Sequence, residues 1–248
     1  MQLDAAELAD FYEAPLGLLT RRIIARQLRA IWPSARGARL LGYGFAVPYL
    51  RLFQAEAERV VALMPAQQGV VVWPPTNPLT VLGDESTLPF PDAFFDRILV
   101  VHGLEGADAA RPLLRQLWRI LAPEGRLLLV APNRTSLWAQ LERSPFGVGR
   151  PFSRGELDRL LRGALFEPIA WDRALYIPPL RGRRLVRTGL GWDSLLKKLM
   201  PGIAGVHLVE ACKTLYGAAP ISIGRATPKW SPVRDAPAAV RENHQHRS

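Results

Sequence analysis

The sequence is poor in cysteine and histidine: one cysteine, Cys212, and four histidines stand among 248 residues. A lone thiol excludes an internal disulfide framework and any zinc site built from several cysteines, and it suits a reducing compartment. Acidic residues are scarce relative to basic ones, with 22 Asp and Glu against 32 Lys and Arg, a net charge of +10. No uninterrupted apolar run reaches the roughly 20 residues of a membrane-crossing helix. The opening MQLDAAELAD carries acids and no apolar core, so it does not read as a secretory signal. These absences set the expectation of a soluble, cytoplasmic protein without a transmembrane segment.

The surplus of positive charge favours anionic partners: nucleic acid, an acidic membrane surface or an anionic small molecule. Most arginines are dispersed, as in TRRIIARQLR (20–29) and RPLLRQLWR (111–119), and only RGRRLVR (181–187) is dense. Dispersed arginines also fit ordinary solvated faces, so charge alone leaves nucleic acid disfavoured but open.

Periodicity organises the rest. Leu16, Leu19, Ile23, Ile24, Leu28 and Ile31 recur at helical spacing, so residues 4–32 read as a helix that Pro33 stops. ARLLGYG (38–44), RVVALM (59–64), NPLTVLGD (77–84), FDRILVVHG (95–103) and GRLLLVAPN (125–133) are strand candidates. PYLRLFQAEA after the first suits a helix with Pro48 in its opening turn. AARPLLRQLWRILAPEG gives an amphipathic helix closing at Pro123 and Gly125, and SRGELDRLLRGALF (153–166) gives another with Ser153 as N-cap. GVHLVEACKTLY (205–216) suggests a late strand, antiparallel at the sheet edge, with helix the alternative. Strands alternating with helices predict a parallel sheet covered on both faces. The segment 65–78 holds Pro74, Pro75 and Pro78, which forbid an ordinary crossover helix. The organisation is an N-terminal helical extension (1–34), an α/β domain (35–220) and a polar, proline-rich, disordered tail (221–248).

Three blocks then line up: the glycine loop in RLLGYGFAVPYLR (39–51), LGDESTLPFPDAFFDRILVVHGLE (82–105) and LLRQLWRILAPEGRLLLVAPN (113–133). Together they resemble class I S-adenosylmethionine-dependent methyltransferases of the type 11 group. Gly83, Asp84, Leu88, Pro89, Phe90, Asp92, Phe95 and Asp96 match that group's second block in register. The resemblance implies a Rossmann-like, mostly parallel seven-stranded sheet flanked by helices, with S-adenosylmethionine as cofactor and a small molecule as methyl acceptor. It implies a cofactor site at the loop of Gly42, Gly44 and Ala46, at Gln67 or Gln68 after the second strand, at Asp84 with Glu85 after the third, and at His102 after the fourth. A helix-cap or turn aspartate is the alternative for Asp84, and His102 is the candidate base or orienting group, with a purely structural histidine as the alternative. Asn133 and Arg134 fall at the acceptor rim, where Arg134 would hold an anionic acceptor or stand as a solvated loop arginine. Phe11 and Tyr12 sit where an N-terminal helix could close over the site, with ordinary helix packing as the alternative.

The departures are specific. Gly42 stands where the group's loop has an acid, Pro48 where it has its last glycine, and no acid follows RVVALM. A neutral amide is a weaker acceptor than the missing carboxylate. A non-catalytic binding or regulatory protein on the same fold is the competing expectation.

Overall fold

The computed structural model describes residues 4–141, 144–179, 191–197 and 199–214. The basic cluster 181–187 and the tail 221–248 lie outside the described residues. The N-terminal helix is two helices. α1 (Ala5–Glu13) is capped by Asp4, whose Oδ1 accepts from Ala6 N at 2.7 Å. Ala14 is extended because a residue before proline is pushed out of the helical region, and Pro15 opens α2 (Pro15–Ile31).

The sheet has the order β3-β2-β1-β4-β5-β7-β6, built from β1 (Arg39–Gly44), β2 (Arg59–Pro65), β3 (Thr80–Gly83), β4 (Phe95–Val101), β5 (Leu121–Pro132), β6 (Phe166–Ala174) and β7 (Val206–Lys213). The first five pair in parallel, and β7 runs antiparallel to β5 and to β6. β1 has side chains alternating between two cores. Leu40 packs with α2 residues such as Ile24 and Leu28 on one face. Leu41 packs with Leu113 and Leu117 of α4 (Ala110–Ile120) and Leu157 of α6 (Arg154–Gly163) on the other. That period-two division makes the predicted three-layer sandwich.

Four expectations shift. The helix predicted after Pro48 contracts to α3 (Val47–Leu50), followed by turns with Phe53 N bonded to Leu50 O at 3.0 Å and Glu56 N to Phe53 O at 3.1 Å. This winding brings Phe53 into the core, its ring 6.0 Å from that of Trp32. α4 ends at Ile120 rather than at Pro123: the Arg119 and Ile120 carbonyls accept from Ala93 N and Phe94 N, and Leu121 is already extended and paired with Phe95 of β4. The late strand forms as β7 and is antiparallel, but it lies inside the sheet. The edge belongs to β6, whose sequence FEPIAWDRA does not announce a strand; Pro168 is tolerated there, and the register slips between Pro168 and Ala170. Ser153 caps α6 in a reciprocal capping box with Glu156, as its position predicted. Between β2 and β3 only a short turn, Ala66–Gln68, is helical. Among the described residues no helix is long and apolar enough to cross a membrane.

His207 on β7 is buried between the sheet and the Arg154 and Arg173 side, and its pKa is depressed to about 4, first by burial and then by those arginines. The unfolded chain binds this proton near pH 6.5 and the folded chain near 4, so stability falls as pH drops through that interval and levels off below it. Denaturant titrations are expected to lose up to about 3 kcal/mol between pH 7 and 4 from this residue. His207→Leu is expected to flatten that part of the profile.

Candidate functional site

The carboxyl ends of β1 to β4 form one edge of the sheet, where open α/β folds place ligands. β1 ends at Gly44 with φ +75°, and a Cβ there would lie 2.4 Å from Val101 O and 2.8 Å from Gly103 N. The β1 and β4 turns therefore touch, and only glycine fits. Gly42 is different: it lies inside β1, and its absent side chain makes room for Leu50 and Ala46. Ala46 is buried and precedes α3, with Pro48 in the first turn.

Just past β4, His102 adopts φ +50° and is 4% exposed. Its carbonyl accepts from Gln68 Nε2 at 2.8 Å, so the Gln68 side chain links the end of β2 to the end of β4. Its ring joins a chain of polar side chains. Tyr12 Oη lies 2.8 Å from Nε2, Glu105 Oε1 lies 3.2 Å from Nδ1, and Tyr12 and Tyr49 hydroxyls are 3.0 Å apart. With the proton on Nδ1, the imidazole donates to Glu105 and accepts from Tyr12. Phe45 stacks on Tyr12 at 5.9 Å, and the Phe146 ring lies 4.8 Å from that of His102. Burial pushes the Tyr12 phenol well above its ordinary pKa, with Tyr49 and Glu105 adding to it, and burial raises Tyr49 as well. Two acceptors in this cluster, Gln68 Oε1 and Glu105 Oε2, are buried without a partner. Such atoms are costly unless something donates to them.

The remaining residues fall on either side. Asp84 is exposed just after β3 and caps its own turn, accepting from Ser86 N at 2.7 Å; the Ser86 hydroxyl first and then its amide hold the carboxyl below the usual range. Glu85 is buried and accepts from Asp108 N at 3.0 Å, while burial raises its carboxyl. Gln67 is exposed, and Gln68 is the glutamine that enters the cluster. Asn133 donates to Ala204 O at 2.8 Å and Arg134 pairs with Glu156 at 2.9 Å, so both brace the far flank. Sequence reasoning left out Glu105 and Tyr49. The spacing of HGLE, histidine and glutamate three residues apart, was the available signal for Glu105.

The polar chain runs between two cavities. One of about 400 Å³ is lined by Tyr12, Phe45, Val47, Arg21, Arg51 and Trp73 among others. The other, of about 660 Å³, is lined by Glu105, Asp108, Gly149 and Arg150 among others. Tyr12, Gln68 and His102 are so buried that a ligand reaches the imidazole only when one of their side chains moves.

Comparison with known proteins agrees with this architecture. A family profile described as "Methyltransferase domain" matches residues 41–129. A demethylmenaquinone methyltransferase of Thermus thermophilus is 31% identical over 176 residues, covering 70% of this chain and 72% of that protein. Among solved structures, an S-adenosylmethionine-dependent methyltransferase from Mesorhizobium loti superposes with a TM-score of 0.57 at 15% identity, over 76% of this chain and 96% of that one. A second such enzyme, from Archaeoglobus fulgidus, gives 0.55 at 17% identity over 78% and 94%.

Proposed function

The chain belongs to the class I S-adenosylmethionine-dependent methyltransferase family, and from that premise we propose that it methylates a small, largely apolar molecule bearing an acidic hydroxyl, such as a hydroquinone. S-adenosylmethionine is its cofactor. The residues present fit that group in kind. The cofactor offers donors (an ammonium, two ribose hydroxyls and an adenine amino group), and this edge of the sheet carries the unpartnered acceptors Gln68 Oε1 and Glu105 Oε2. The backbone of Gly44 to Ala46, together with Gln68 and Asp84, would hold it, with Gln68 standing in for the acid that this chain lacks after β2. When bound, it supplies an electrophilic methyl group on a sulfonium.

The observation that carries the acceptor reading is the Tyr12–His102–Glu105 chain. A hydroxyl in the cavity beside Tyr12 hands its proton to the Tyr12 oxygen as Tyr12 passes its own to His102 Nε2. Burial makes a free Tyr12 phenolate costly, so the two transfers occur together and the positive charge ends on the imidazole beside Glu105. The acceptor is left with an electron-rich oxygen or ring carbon, ready for in-line displacement. Phe45, Val71, Val72 and Trp73 suit an apolar body, and Arg21 and Arg51 suit the developing negative charge. The Thermus relative is named for demethylmenaquinone, a quinone whose two-electron-reduced form is a hydroquinone of this class.

The test begins with calorimetric titration of S-adenosylhomocysteine. Wild type is expected to bind, and Gln68→Leu to bind about 3- to 10-fold more weakly through a lost hydrogen bond. Label transfer from methyl-labelled cofactor to hydroquinones and phenols, with their fully O-methylated forms as controls, then checks the acceptor. Absence of binding by wild type overturns the cofactor assignment. Transfer to the capped controls at equal rates overturns the acidic acceptor.

A further inference from the structure

The segment joining β6 to β7 carries a feature that methyl transfer does not explain. Residues 191–197 and 199 are helical, and one side of this helix is anchored. Asp193 is buried and accepts from Tyr176 N at 2.6 Å, and Lys197 pairs with Asp172 at 2.7 Å. The other side is apolar and open. Trp192, Leu195, Leu199 and Met200 are 51%, 46%, 67% and 49% exposed. The spacing of Trp192, Leu195 and Leu199 puts them on one side of the helix, and Met200 follows directly at its end. Scattered apolar residues on a surface need no explanation, but a contiguous stripe beside cations does.

The cations are on α2, where Arg22 and Arg26 are exposed one turn apart, and Arg26 Nη1 donates to Ser194 Oγ at 3.3 Å. The acids of this surface are already engaged, Asp172 with Lys197 and Asp193 with backbone amides. We infer that this face docks on an anionic lipid surface, with Trp192, Leu195, Leu199 and Met200 entering the interface and Arg22 and Arg26 meeting headgroup phosphates. An apolar face with a cationic border is what interfacial helices present, and tryptophan is favoured at the headgroup level. Anionic lipid attracts each arginine. A second copy of the chain would bring arginine against arginine, so the charge favours lipid over self-association. β7 begins at Val206 opposite Pro132, at the carboxyl end of β5.

The inference does not depend on cofactor binding, and its test does not measure transfer. Full-length protein is floated with vesicles of phosphatidylcholine and phosphatidylglycerol, and separately with phosphatidylcholine alone. Wild type is expected to float with the anionic vesicles, and less so at high salt. Leu195→Glu/Leu199→Glu is expected to cut the partition coefficient about tenfold or more. Arg22→Glu/Arg26→Glu is expected to weaken binding to the anionic vesicles alone. Brominated lipid is expected to quench wild-type fluorescence more than that of Trp192→Phe, a readout that does not rely on the glutamate variants folding. Wild type that stays with neither vesicle, a double leucine variant that floats as well as wild type, equal quenching, or a stripe whose substitution changes only the mass of the free protein would each overturn the inference.

Discussion

Gly44→Val is expected to lower stability by about 2–5 kcal/mol, a large share of the roughly 5–15 kcal/mol that holds a domain folded, and to abolish binding of S-adenosylhomocysteine. The left-handed backbone costs an ordinary residue about 1–2 kcal/mol. A side chain forced against Val101 O and Gly103 adds about 1–3 kcal/mol of overpacking. Gly37 provides the internal comparison, since its φ is +69° but nothing lies within 4 Å of a Cβ placed there. Alanine at Gly37 is therefore expected to cost only the backbone component, and alanine at Gly44 that component plus the contact. Chemical denaturation of the two alanine variants checks this. Equal losses would mean that the β1 and β4 turns do not need to touch.

His102→Ala is expected to reduce kcat by about 10²- to 10⁴-fold, the usual worth of a positioned acid–base group. The Tyr12→Phe variant breaks the same chain one member earlier. Residues that act as a unit are far from additive, so Tyr12→Phe combined with His102→Ala is expected to be no slower than His102→Ala alone by more than a few-fold. Cofactor affinity is expected to change little in His102→Ala, because Gln68 bonds to the His102 carbonyl, which the substitution leaves in place. Single-turnover rates with all three variants make the measurement. Multiplicative losses would assign Tyr12 and His102 to separate roles.

The parallel half of the sheet was legible because each strand is a short apolar run closed by glycine, proline or an acid. β6 was not, since its edge position leaves it only one neighbour and its burial does not alternate cleanly along FEPIAWDRA. The shortened α3 was hidden for another reason: the pull of Phe53 into the core beside Trp32 is a tertiary demand, invisible to local propensity. The site divides in the same way. Gly44 was readable, because a glycine at a strand end before a helix signals a backbone constraint. The partnership of Tyr12 with His102 spans 90 residues and that of Gln68 with His102 spans 34. No periodicity encodes contacts at such separations, and Gln67 and Gln68 differ only in which way a single turn points them. Asp84 lies just after β3, and its context admitted both a cofactor acid and a turn-capping aspartate; the structure shows it capping its own turn through Ser86.

The two ends of the sheet also bear on how the protein behaves when crowded. An unpaired strand invites another chain to continue the ladder, which is the growth step of cross-β fibrils. At one end β3 is only four residues long, too short to template much. At the other, β6 holds Pro168 and a slipped register, so a neighbour cannot find an unbroken row of donors and acceptors. Clumping at high concentration is therefore expected to run through side chains on the surface rather than through backbone. It would yield amorphous precipitate that redissolves on dilution, and the sheet itself would stay closed to recruitment.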